Sequence, residues 1–317
     1  MSPAPADKAA FIAADWGTSN LRLSLCDTRG TVLDTATGPG AADSRGRFAE
    51  VFDAHTGEWR RQHGALPAIL SGMAGSSFGW REAAYLPCPA ELAELAELAD
   101  QPVSPREGVF IVPGMRCSNP LGAPDVMRGE ETQLLGALEL EPALAEGRRL
   151  VCMPGTHTKW VSMRDGIVQE FLTVPTGEIF SLLCNHSVLV RDAATPIQHR
   201  GAEFERGLAE SARHPEVPLL HRLFQGRSLR IDQQLSAEGA ASWVSGLLIG
   251  TDVGGALPLF EQHGATTPVY LVGASALCVN YSLALARRGR TTVSIDGNAA
   301  ALRGQAFVYR ALESSNA

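Results

Sequence analysis

Two Gly-Thr turns, each placed after a short apolar run, offer the most suggestive donor groups in the sequence. One copy follows Asp15, and the other lies 138 residues further on, counted from the glycine at 17 to the glycine at 155. Backbone N–H groups and small hydroxyls at such turns can cradle phosphate oxygens. Single Gly-Thr turns are frequent without a ligand, so it is the repetition that predicts a polyphosphate site and a nucleotide-dependent enzyme. The candidate phosphate-binding residues are Asp15, Gly17, Thr18, Ser19, Asn20, Gly155, Thr156, His157, Thr158 and Lys159.

Three carboxylates are placed where they could serve phosphoryl transfer. Asp15 ends an apolar strand, where an unpartnered carboxylate is costly, so we expect either a turn cap or a ligand of Mg²⁺ acting through waters. Glu130 and Glu131 begin a predicted helix and point in different directions. One of them is a candidate general base for an attacking hydroxyl. The alternative for at least one is an acid that simply suits the N-terminal end of a helix dipole.

Two cations and a turn of small residues complete the candidate site. Lys159 is the only lysine besides Lys8, and its flexible point charge could reach a phosphate or a substrate carboxylate. Arg128 could hold a substrate carboxylate by a bidentate fork, or could form an ordinary ion pair. Small residues between a late strand and a helix would let an adenine–ribose unit approach the backbone. These residues are Gly273, Ala274 and Ser275.

Other nucleotide-binding motifs are missing from the sequence. There is no P-loop, no Gly-x-Gly-x-x-Gly dinucleotide fingerprint and no protein-kinase signature. If the chain binds a nucleotide, the paired Gly-Thr turns are therefore the expected binding site.

The elements that must position these residues follow one order twice. Each Gly-Thr turn joins two strands, and a second turn leads to a third strand, as the period-two alternation of apolar residues indicates. Further strands are predicted at 68–70, 109–112, 269–272 and 291–295. Helices are predicted at 48–62, 89–99, 129–140, 177–189, 202–211, 236–252, from 275 to about 288, and 298–312. The order βββαβαβα, repeated, predicts an α/β fold with a duplicated architecture.

The composition is that of a globular, core-forming chain, with 45% hydrophobic and 19% charged residues among 317. A net charge of −7 gives no support to nucleic acid or an anionic membrane as partner. Six scattered cysteines predict free thiols in a reducing cytoplasm. The uncharged stretch 264–286 predicts a strand and a buried helix rather than a membrane span, and the N-terminus shows no apolar signal core.

Five blocks of the sequence form a specific combination. They include Arg-Gly-Glu-Glu-Thr-Gln and Pro-Gly-Thr-His-x-Lys-Trp, and they lie at residues 14–22, 71–80, 126–134, 153–161 and 185–187. The set resembles the motifs of the 2-dehydro-3-deoxygalactonokinase family. This family is part of the acetate and sugar kinase / heat-shock chaperone / actin superfamily, which the two Gly-Thr hairpins and the mid-chain acid also resemble.

The resemblance implies transfer of the ATP γ-phosphate to the 6-hydroxyl of 2-dehydro-3-deoxy-D-galactonate, with Mg²⁺, in cytoplasmic galactonate breakdown. It implies an α/β fold of two ribonuclease-H-like (actin-like ATPase) lobes with mixed βββαβαβα sheets and an interlobe cleft. The domains would be a sugar-acid-binding lobe with the first phosphate hairpin at 9–140, a nucleotide-binding lobe at 148–297, and a helix at 298–317 packing back on the first lobe. Superfamily members usually carry an aspartate before the second hairpin, where this chain has Met153 and Pro154. Asp15 is then the one expected metal ligand.

Within this scheme Glu131 is the preferred base and Glu130 the alternative. ATP and a small sugar acid are the expected partners, with no nucleic acid and no membrane, and a homodimer is a further expectation. Two alternatives on the same fold stay open: an exopolyphosphatase-like phosphohydrolase and a non-catalytic ATP-binding switch. The expected sugar-acid pocket consists of Gly72, Met73, Ala74, Gly75, Ser76, Trp80 and Arg128.

Overall fold

The computed structural model describes residues 8–99, 105–190, 201–261 and 268–315. Contacts divide the chain into two compact units. Unit 1 takes the residues up to 147, residues 163–170 and those from 297 onward, whereas unit 2 takes residues 148–162 and 171–296. The first Gly-Thr turn therefore belongs to unit 1 and the second to unit 2.

Unit 1 begins with three consecutive strands and continues with alternating strands and helices. Its strands are β1 (Phe11–Trp16), β2 (Asn20–Cys26), β3 (Val32–Pro39), β4 (Ala68–Gly72), β5 (Tyr85–Pro87), β6 (Ala90–Glu91), β7 (Val109–Ile111), β8 (Gly114–Ser118) and β9 (Pro124–Met127). Its first helices are α1 (Phe48–His63), α2 (Glu94–Ala99) and α3 (Glu130–Leu140), with 3-10 turns at Met73–Gly75 and Pro142–Ala145.

The main sheet of unit 1 has the strand order β3-β2-β1-β4-β7. The first three strands pair antiparallel, whereas β4 lies parallel to β1 and β7 parallel to β4. Central β1 is buried and apolar from Phe11 to Ala14, and Trp16 shares a buried cluster with Phe52 and Trp59 of α1. The carboxyl ends of β1 and β4 meet at one edge, where Asp15 lies opposite Ser71.

A second, three-stranded sheet in unit 1 has the order β5-β8-β9. The last of its strands, β9, ends at Met127, and α3 starts three residues later at Glu130. This small sheet therefore delivers Arg128 and Gly129 to the start of the helix that carries both glutamates.

Unit 2 repeats the opening of three strands and then runs through a series of helices. Its strands are β10 (Arg148–Met153), β11 (Thr158–Arg164), β12 (Ile167–Val174), β13 (Val269–Gly273) and β14 (Thr292–Asp296), except that residues 163–164 of β11 and 167–170 of β12 belong to unit 1. Its helices are α4 (Thr176–His186), α5 (Ala202–Arg213), α6 (Leu219–Leu223), α7 (Gln225–Ile231), α8 (Ala237–Glu261) and α9 (Ser275–Ala286).

The strands β10 to β14 are ordered β14-β13-β10-β11-β12, which is the arrangement of the main sheet in unit 1. In both, the first strand has its hairpin partner on one side and a parallel strand on the other. The outer strand β14 is again parallel to its neighbour β13. The predicted α/β class with two mixed sheets is confirmed, and the interlobe cleft stays a prediction.

The last helix, α10 (Gly297–Ser315), belongs to unit 1 and packs on α3. Two glycines allow this close approach, since a Cβ at Gly136 would lie 1.8 Å from the carbonyl oxygen of Ala300, and one at Gly304 would lie 2.0 Å from that of Thr132. The contact holds the helix that begins with the two glutamates. The domain limits 9–140, 148–297 and 298–317 stay predictions.

One predicted helix is wrong in its first part. Of the stretch 89–99, Glu94–Ala99 is helical as predicted, whereas Ala90–Glu91 forms strand β6. Ala90 and Glu91 pair antiparallel with Val168 and Ile167 at the start of β12, all four residues lying in unit 1. Tertiary strand pairing here overrides the helix propensity of the Glu-Leu-Ala repeat.

The cysteines and the apolar stretch near residue 280 have the structures that the sequence predicts. All six cysteines are free, as predicted. The stretch from 268 to 286 forms β13 and α9, as predicted, while residues 264–267 lie outside the described residues. Among the described residues one helix, residues 237–260, is long and apolar enough to cross a membrane, but 72% of its most apolar window is buried, as in the core helix of a globular unit.

Candidate active site

Asp15 lies at the carboxyl end of β1 in unit 1. The β1–β2 register places it opposite Arg22, whose Nη1 donates to Asp15 Oδ2 at 3.0 Å. A quarter of the Asp15 side chain, 25%, stays exposed. Burial raises the pKa of Asp15, the guanidinium of Arg22 opposes that rise, and the negative charge of Glu130 adds to it. Asp15 is thus a partly accessible acid with a cation and a second acid beside it.

The first Gly-Thr turn is exposed to solvent and is supported by hydrogen bonds from the backbone at residues 41 and 42. The Gly17 N–H donates to the Asn20 carbonyl at 2.9 Å, which closes the turn, while Thr18, Ser19 and Asn20 are exposed. Backbone N–H groups of residues 41 and 42 donate to the carbonyls of Gly17 and Thr18 at 2.9 and 3.1 Å. Gly40 makes this support possible, since a Cβ there would lie 2.3 Å from the turn backbone. The turn therefore presents fixed donors to solvent.

Two glycines with positive φ bring three loops of unit 1 together beside Asp15. Gly72, at φ +81°, lies so close to β1 that a Cβ would be 2.7 Å from the Trp16 carbonyl oxygen. Gly129, at φ +108°, would place a Cβ 3.3 Å from the Cα of Gly72. Because both conformations favour glycine, the end of β4 and the start of α3 can meet at the edge that carries Asp15.

The preferred base, Glu131, is fully buried. Its Oε2 accepts from the Gly129 N–H at 2.7 Å and its Oε1 from the Thr132 hydroxyl at 3.0 Å. Burial, followed by the neighbouring charge of Glu130, raises the pKa of Glu131 to about 8. Both carboxylate oxygens therefore serve the start of their own helix.

Glu130 has a different environment from its neighbour. It is half-buried, and its Oε2 accepts from the Arg128 N–H at 3.0 Å. Its charge acts on both Asp15 and Glu131. Of the two candidate bases, Glu130 is the one that is partly exposed and within electrostatic reach of Asp15.

Arg128 spans the small sheet and the loop after β4. Its Nη2 donates to the Ala83 carbonyl at 2.8 Å, and its guanidinium stacks 4.2 Å from the centre of the Tyr85 ring. Its Nη1 is buried and finds no hydrogen-bond partner among the described residues. A Cβ at Gly75 would lie 2.7 Å from that nitrogen, so the glycine leaves room for the guanidinium. An unpaired guanidinium nitrogen is a donor available to an anionic ligand.

The predicted sugar-acid loop is mostly inside the unit. Gly72, Ala74, Gly75 and Ser76 are buried, and Met73 is partly exposed. The Ser76 hydroxyl donates to the Met73 carbonyl at 2.8 Å and so closes the 3-10 turn. Trp80 packs against the core, with its ring centre 6.2 Å from that of Trp16 and 5.5 Å from that of Phe52. These contacts position the loop next to Arg128.

The second Gly-Thr turn, in unit 2, is held by the start of α4. The Glu178 N–H donates to the Thr156 carbonyl at 2.9 Å, and a Cβ at Gly177 would lie 2.4 Å from the Gly155 carbonyl oxygen. The exposed side chains of His157 and Glu178 pair at 3.0 Å. Thr156 and His157 are the exposed residues of this turn, and Gly155 is partly exposed.

Thr158 and Lys159 of the same turn point inward. Thr158 is fully buried, and its hydroxyl lies 2.8 Å from that of Tyr281. Lys159 is 3% exposed, and its ammonium donates to the His157 carbonyl at 3.1 Å. Both side chains stabilise the turn from within, and the structure does not place either at the surface.

The Gly-Ala-Ser turn lies beside the second Gly-Thr turn. Strand β13, which ends at Gly273, is parallel to β10, and a Cβ at Gly273 would lie 3.3 Å from the Pro154 carbonyl oxygen. Ala274 and Ser275 are exposed where α9 begins. The predicted nucleotide-binding residues of unit 2 therefore share one sheet edge, as carboxyl ends of parallel strands do.

The sequence matches the family model for 2-keto-3-deoxy-galactonokinases over residues 15–308. The chain is also 36% identical over 308 residues to a Rhizobium meliloti (strain 1021) protein named as a probable 2-dehydro-3-deoxygalactonokinase, covering 95% of this chain and 97% of the relative. The chain belongs to the 2-dehydro-3-deoxygalactonokinase family. The family's Escherichia coli (strain K12) enzyme is 34% identical over 294 residues, which cover 92% of this chain and 94% of that protein.

Solved structures agree with this assignment. A 2-dehydro-3-deoxygalactonokinase family protein from Sinorhizobium meliloti superposes with a TM-score of 0.84 at 34% identity, covering 95% of this chain and 99% of that one. The activator of 2-hydroxyisocaproyl-CoA dehydratase from Clostridium difficile, solved with bound ADPNP, gives a TM-score of 0.54 at 13% identity, covering 96% and 97%. The second likeness shows the fold alone.

The environment of Asp15 suits a magnesium ion, although it supplies few protein ligands. Among the described residues no group of three or more His, Cys, Asp or Glu side chains is arranged to hold a metal ion. Mg²⁺ commonly binds through one or two carboxylates together with phosphates and waters. Asp15, on which the charge of Glu130 acts, could supply one such carboxylate.

Several residues that support the site were not identified from the sequence. In unit 1 this holds for Arg22, although a hairpin register through the Gly-Thr turn places it opposite Asp15. In unit 2 it holds for Tyr281 and for Asp252 on α8, which accepts from the Tyr281 hydroxyl at 2.6 Å, because positions far along the chain carry no local signal. Gly177 and Glu178 follow Pro175-Thr176, a recognisable helix start, but only the packing shows that this start supports the second turn.

Proposed function

We propose that this chain phosphorylates the 6-hydroxyl of 2-dehydro-3-deoxy-D-galactonate with ATP. One observation carries the proposal. Asp15, the first Gly-Thr turn and Glu130 lie together at one sheet edge, and the chain belongs to this kinase family. The E. coli relative bears the name of that activity, and the likeness of 34% extends over 92% of the chain. Phosphoryl transfer needs positioned donors, a cation site and an acid–base group, and unit 1 offers a candidate for each in the first Gly-Thr turn, Asp15 and Glu130.

The phosphate-binding role falls to the exposed parts of the two turns. In unit 1 these are residues 17–20, and in unit 2 they are residues 155–157 with the neighbouring Gly273, Ala274 and Ser275. Asp15 would hold Mg²⁺, which supplies neutralisation of phosphate charge when bound. We assign Thr158 and Lys159 to the support of the second turn, since both are buried. That the two turns bind the same triphosphate stays a prediction.

Glu130 is the better placed of the two candidate bases. It is partly exposed and close enough to Asp15 to influence its pKa, whereas Glu131 is enclosed by its own helix start. In the proposed reaction the Glu130 carboxylate orients the sugar hydroxyl and accepts its proton as the phosphoryl group is transferred. Glu131 would act indirectly, by holding Gly129 in the conformation that starts α3.

Arg128 is proposed to bind the carboxylate of the sugar acid. Its buried Nη1 lacks a partner among the described residues, and its other contacts fix the guanidinium plane. A carboxylate accepting from that nitrogen would gain a charge-assisted hydrogen bond. The loop at residues 72–76 and Trp80 would shape this pocket largely through the backbone, because most of their side chains are packed inside.

A coupled assay of ADP release with a panel of 2-keto-3-deoxy sugar acids tests the proposal. We expect release to require one of these acids and to yield a phosphorylated acid by mass spectrometry. Equal ATP turnover with and without sugar acid would instead indicate a phosphohydrolase, and ATP binding without any turnover would indicate a switch.

A matched pair of variants tests the assignment of the base. Glu130→Gln should lower kcat by about 10²–10⁴-fold, the usual contribution of general acid–base catalysis, while ADP affinity stays near the wild-type value. Glu131→Gln should retain most of the turnover. The reverse pattern would return the role of base to Glu131.

Three expectations about the cellular setting accompany the proposal. We propose a cytoplasmic enzyme whose partners are ATP and a sugar acid rather than nucleic acid or membrane. A homodimer is also proposed, and light scattering of the purified chain measures this directly. Fractionation that placed the chain with membranes would contradict the first expectation.

A further inference from the structure

A buried carboxylate lies beneath the second Gly-Thr turn, within unit 2. Asp252, on α8, is 7% exposed and accepts three side-chain hydrogen bonds. Trp160 Nε1 donates to its Oδ1 at 2.8 Å, while the hydroxyls of Thr176 and Tyr281 both donate to its Oδ2 at 2.6 Å. Burial raises the pKa of Asp252, and the three hydrogen bonds act in the opposite direction.

The directions of these hydrogen bonds determine whether the Thr158 hydroxyl acts as a donor or as an acceptor towards Tyr281. The single hydroxyl proton of Tyr281 is donated to Asp252, so the Tyr281 oxygen can only accept from Thr158, 2.8 Å away. The proton of Thr158 is therefore used inside the unit. Thr158 ends the turn as an anchor, joined to Asp252 through Tyr281.

The other side of the turn is joined to the same carboxylate. Thr176, which donates to Asp252, is the first residue of α4. The next two residues hold the turn directly: Gly177 packs against Gly155, and the Glu178 N–H donates to the Thr156 carbonyl at 2.9 Å. The Asp252 carboxylate thus reaches the turn by two routes, through Tyr281 to Thr158 and through Thr176 to the start of α4. These residues are far apart in the sequence.

We propose that Asp252 is a positioning residue that, through Tyr281 and Thr176, holds the second Gly-Thr turn in the conformation that binds nucleotide phosphates. The inference rests on the proposed function, because it takes the turn to be a phosphate site. Asp252 itself is not expected to contact the nucleotide, since its carboxylate is occupied by three internal donors.

The test is a double-mutant cycle between Tyr281 and Thr158, with Tyr270→Phe as the matched control. Tyr281→Phe and Thr158→Val each remove one hydroxyl and keep the packing. Tyr270 is another buried tyrosine of unit 2, on β13, and has no part in the cluster. ADP binding by calorimetry, KM for ATP, KM for the sugar acid and kcat are measured for each, together with the urea midpoint of unfolding.

We expect Tyr281→Phe to weaken ADP binding and raise KM for ATP about fivefold, the effect of one lost hydrogen bond of about 1 kcal/mol. KM for the sugar acid should stay unchanged. Thr158→Val should give a similar change, and the double variant should be no worse than either single variant, because both act along one connection. Tyr270→Phe should leave ADP binding unchanged.

Asp252→Asn provides a second route to the same question. An amide has one acceptor oxygen, so it cannot serve Trp160 on one side and two hydroxyls on the other. We expect weaker ADP binding at wild-type KM for the sugar acid. If this variant fails to fold, the cycle between the two hydroxyls still decides.

Other outcomes would overturn the inference and are separable from failure of the proposed function. Wild-type ADP binding in folded Tyr281→Phe, or fully additive effects in the double variant, would show that the cluster does not act on the turn. If Tyr281→Phe and Thr158→Val lowered kcat equally and left both KM values unchanged, the variants would instead be generally destabilised. A wild-type chain that binds ADP but phosphorylates no sugar acid would remove the proposed function, while the binding data still test the role of Asp252.

Discussion

Replacing Glu131 by glutamine should make the protein more stable at alkaline pH, because the wild-type chain buries an acid there. The glutamine keeps the shape of a protonated glutamate. Its oxygen can accept from the Gly129 N–H, and its amide can donate to the Thr132 hydroxyl, so the two contacts of the native side chain have replacements. The variant therefore removes one titration and little else.

The magnitude follows from the pKa of Glu131, which burial raises from 4.5 to about 8. Below 4.5 both folded and unfolded chains carry the proton, so this group does not affect stability. Between 4.5 and 8 only the unfolded chain releases it, and stability falls as the pH rises. At ~1.36 kcal/mol for each pH unit, the wild-type chain should lose roughly 3 kcal/mol more than Glu131→Gln between pH 5 and pH 8.

Urea unfolding of both proteins at pH 5 and pH 8 measures this difference. Comparing them removes the contributions of other titrating groups, Asp15 and Asp252 among them, because both proteins share these. Parallel losses of stability in the two proteins would refute the reasoning, since they would show that Glu131 is ionised in the folded state at both pH values.

Three further changes have expected outcomes. Asp15→Asn should reduce Mg²⁺-dependent turnover at least a hundredfold, as measured by ADP release across a magnesium titration, and unchanged activity would remove Asp15 from the metal site. Arg128→Lys should raise KM for the sugar acid about tenfold without changing KM for ATP, because a lysine cannot reproduce the planar fork; an unchanged KM would contradict the carboxylate role. Gly136→Ala should destabilise by about 2 kcal/mol or more in urea unfolding, since its Cβ would lie 1.8 Å from a carbonyl of α10, whereas the control Gly57→Ala in α1 meets nothing within 4 Å and should stabilise by about 0.5–1 kcal/mol. Equal effects of the two glycine substitutions would contradict the packing argument.

Much of the fold was predictable because its elements carry strong local signals. The alternation of apolar residues at 21–25 predicted a strand that the structure contains as β2. The helix predicted at 89–99 was wrong at its start, since the pairing of Ala90 with Val168 depends on residues nearly eighty positions away. Local propensity cannot register such a partner.

The candidate site, like the fold, was predictable in part. Both Gly-Thr turns, the Asp15 position and the Gly273 turn were predicted from residue types at strand ends, and each lies at a sheet edge in the structure. Which of Glu130 and Glu131 is accessible was not predictable, because adjacent helical residues differ only in what packs around them. Lys159 was a candidate for a phosphate or a substrate carboxylate by residue type; that it is 3% exposed, with its ammonium donating to the His157 carbonyl, was visible only in the structure.

The sequence by itself determined that two Gly-Thr hairpins would form, since glycine, small hydroxyls and flanking apolar alternation specify such turns through local sterics and hydrogen bonding. Only the tertiary structure decided which side chains of the turns are exposed and which buried carboxylate lies beneath the second turn. Burial is a property of the whole fold: it raised the pKa of Glu131 and enclosed Thr158. It also placed Asp252, nearly a hundred residues further along the chain, beneath the second turn.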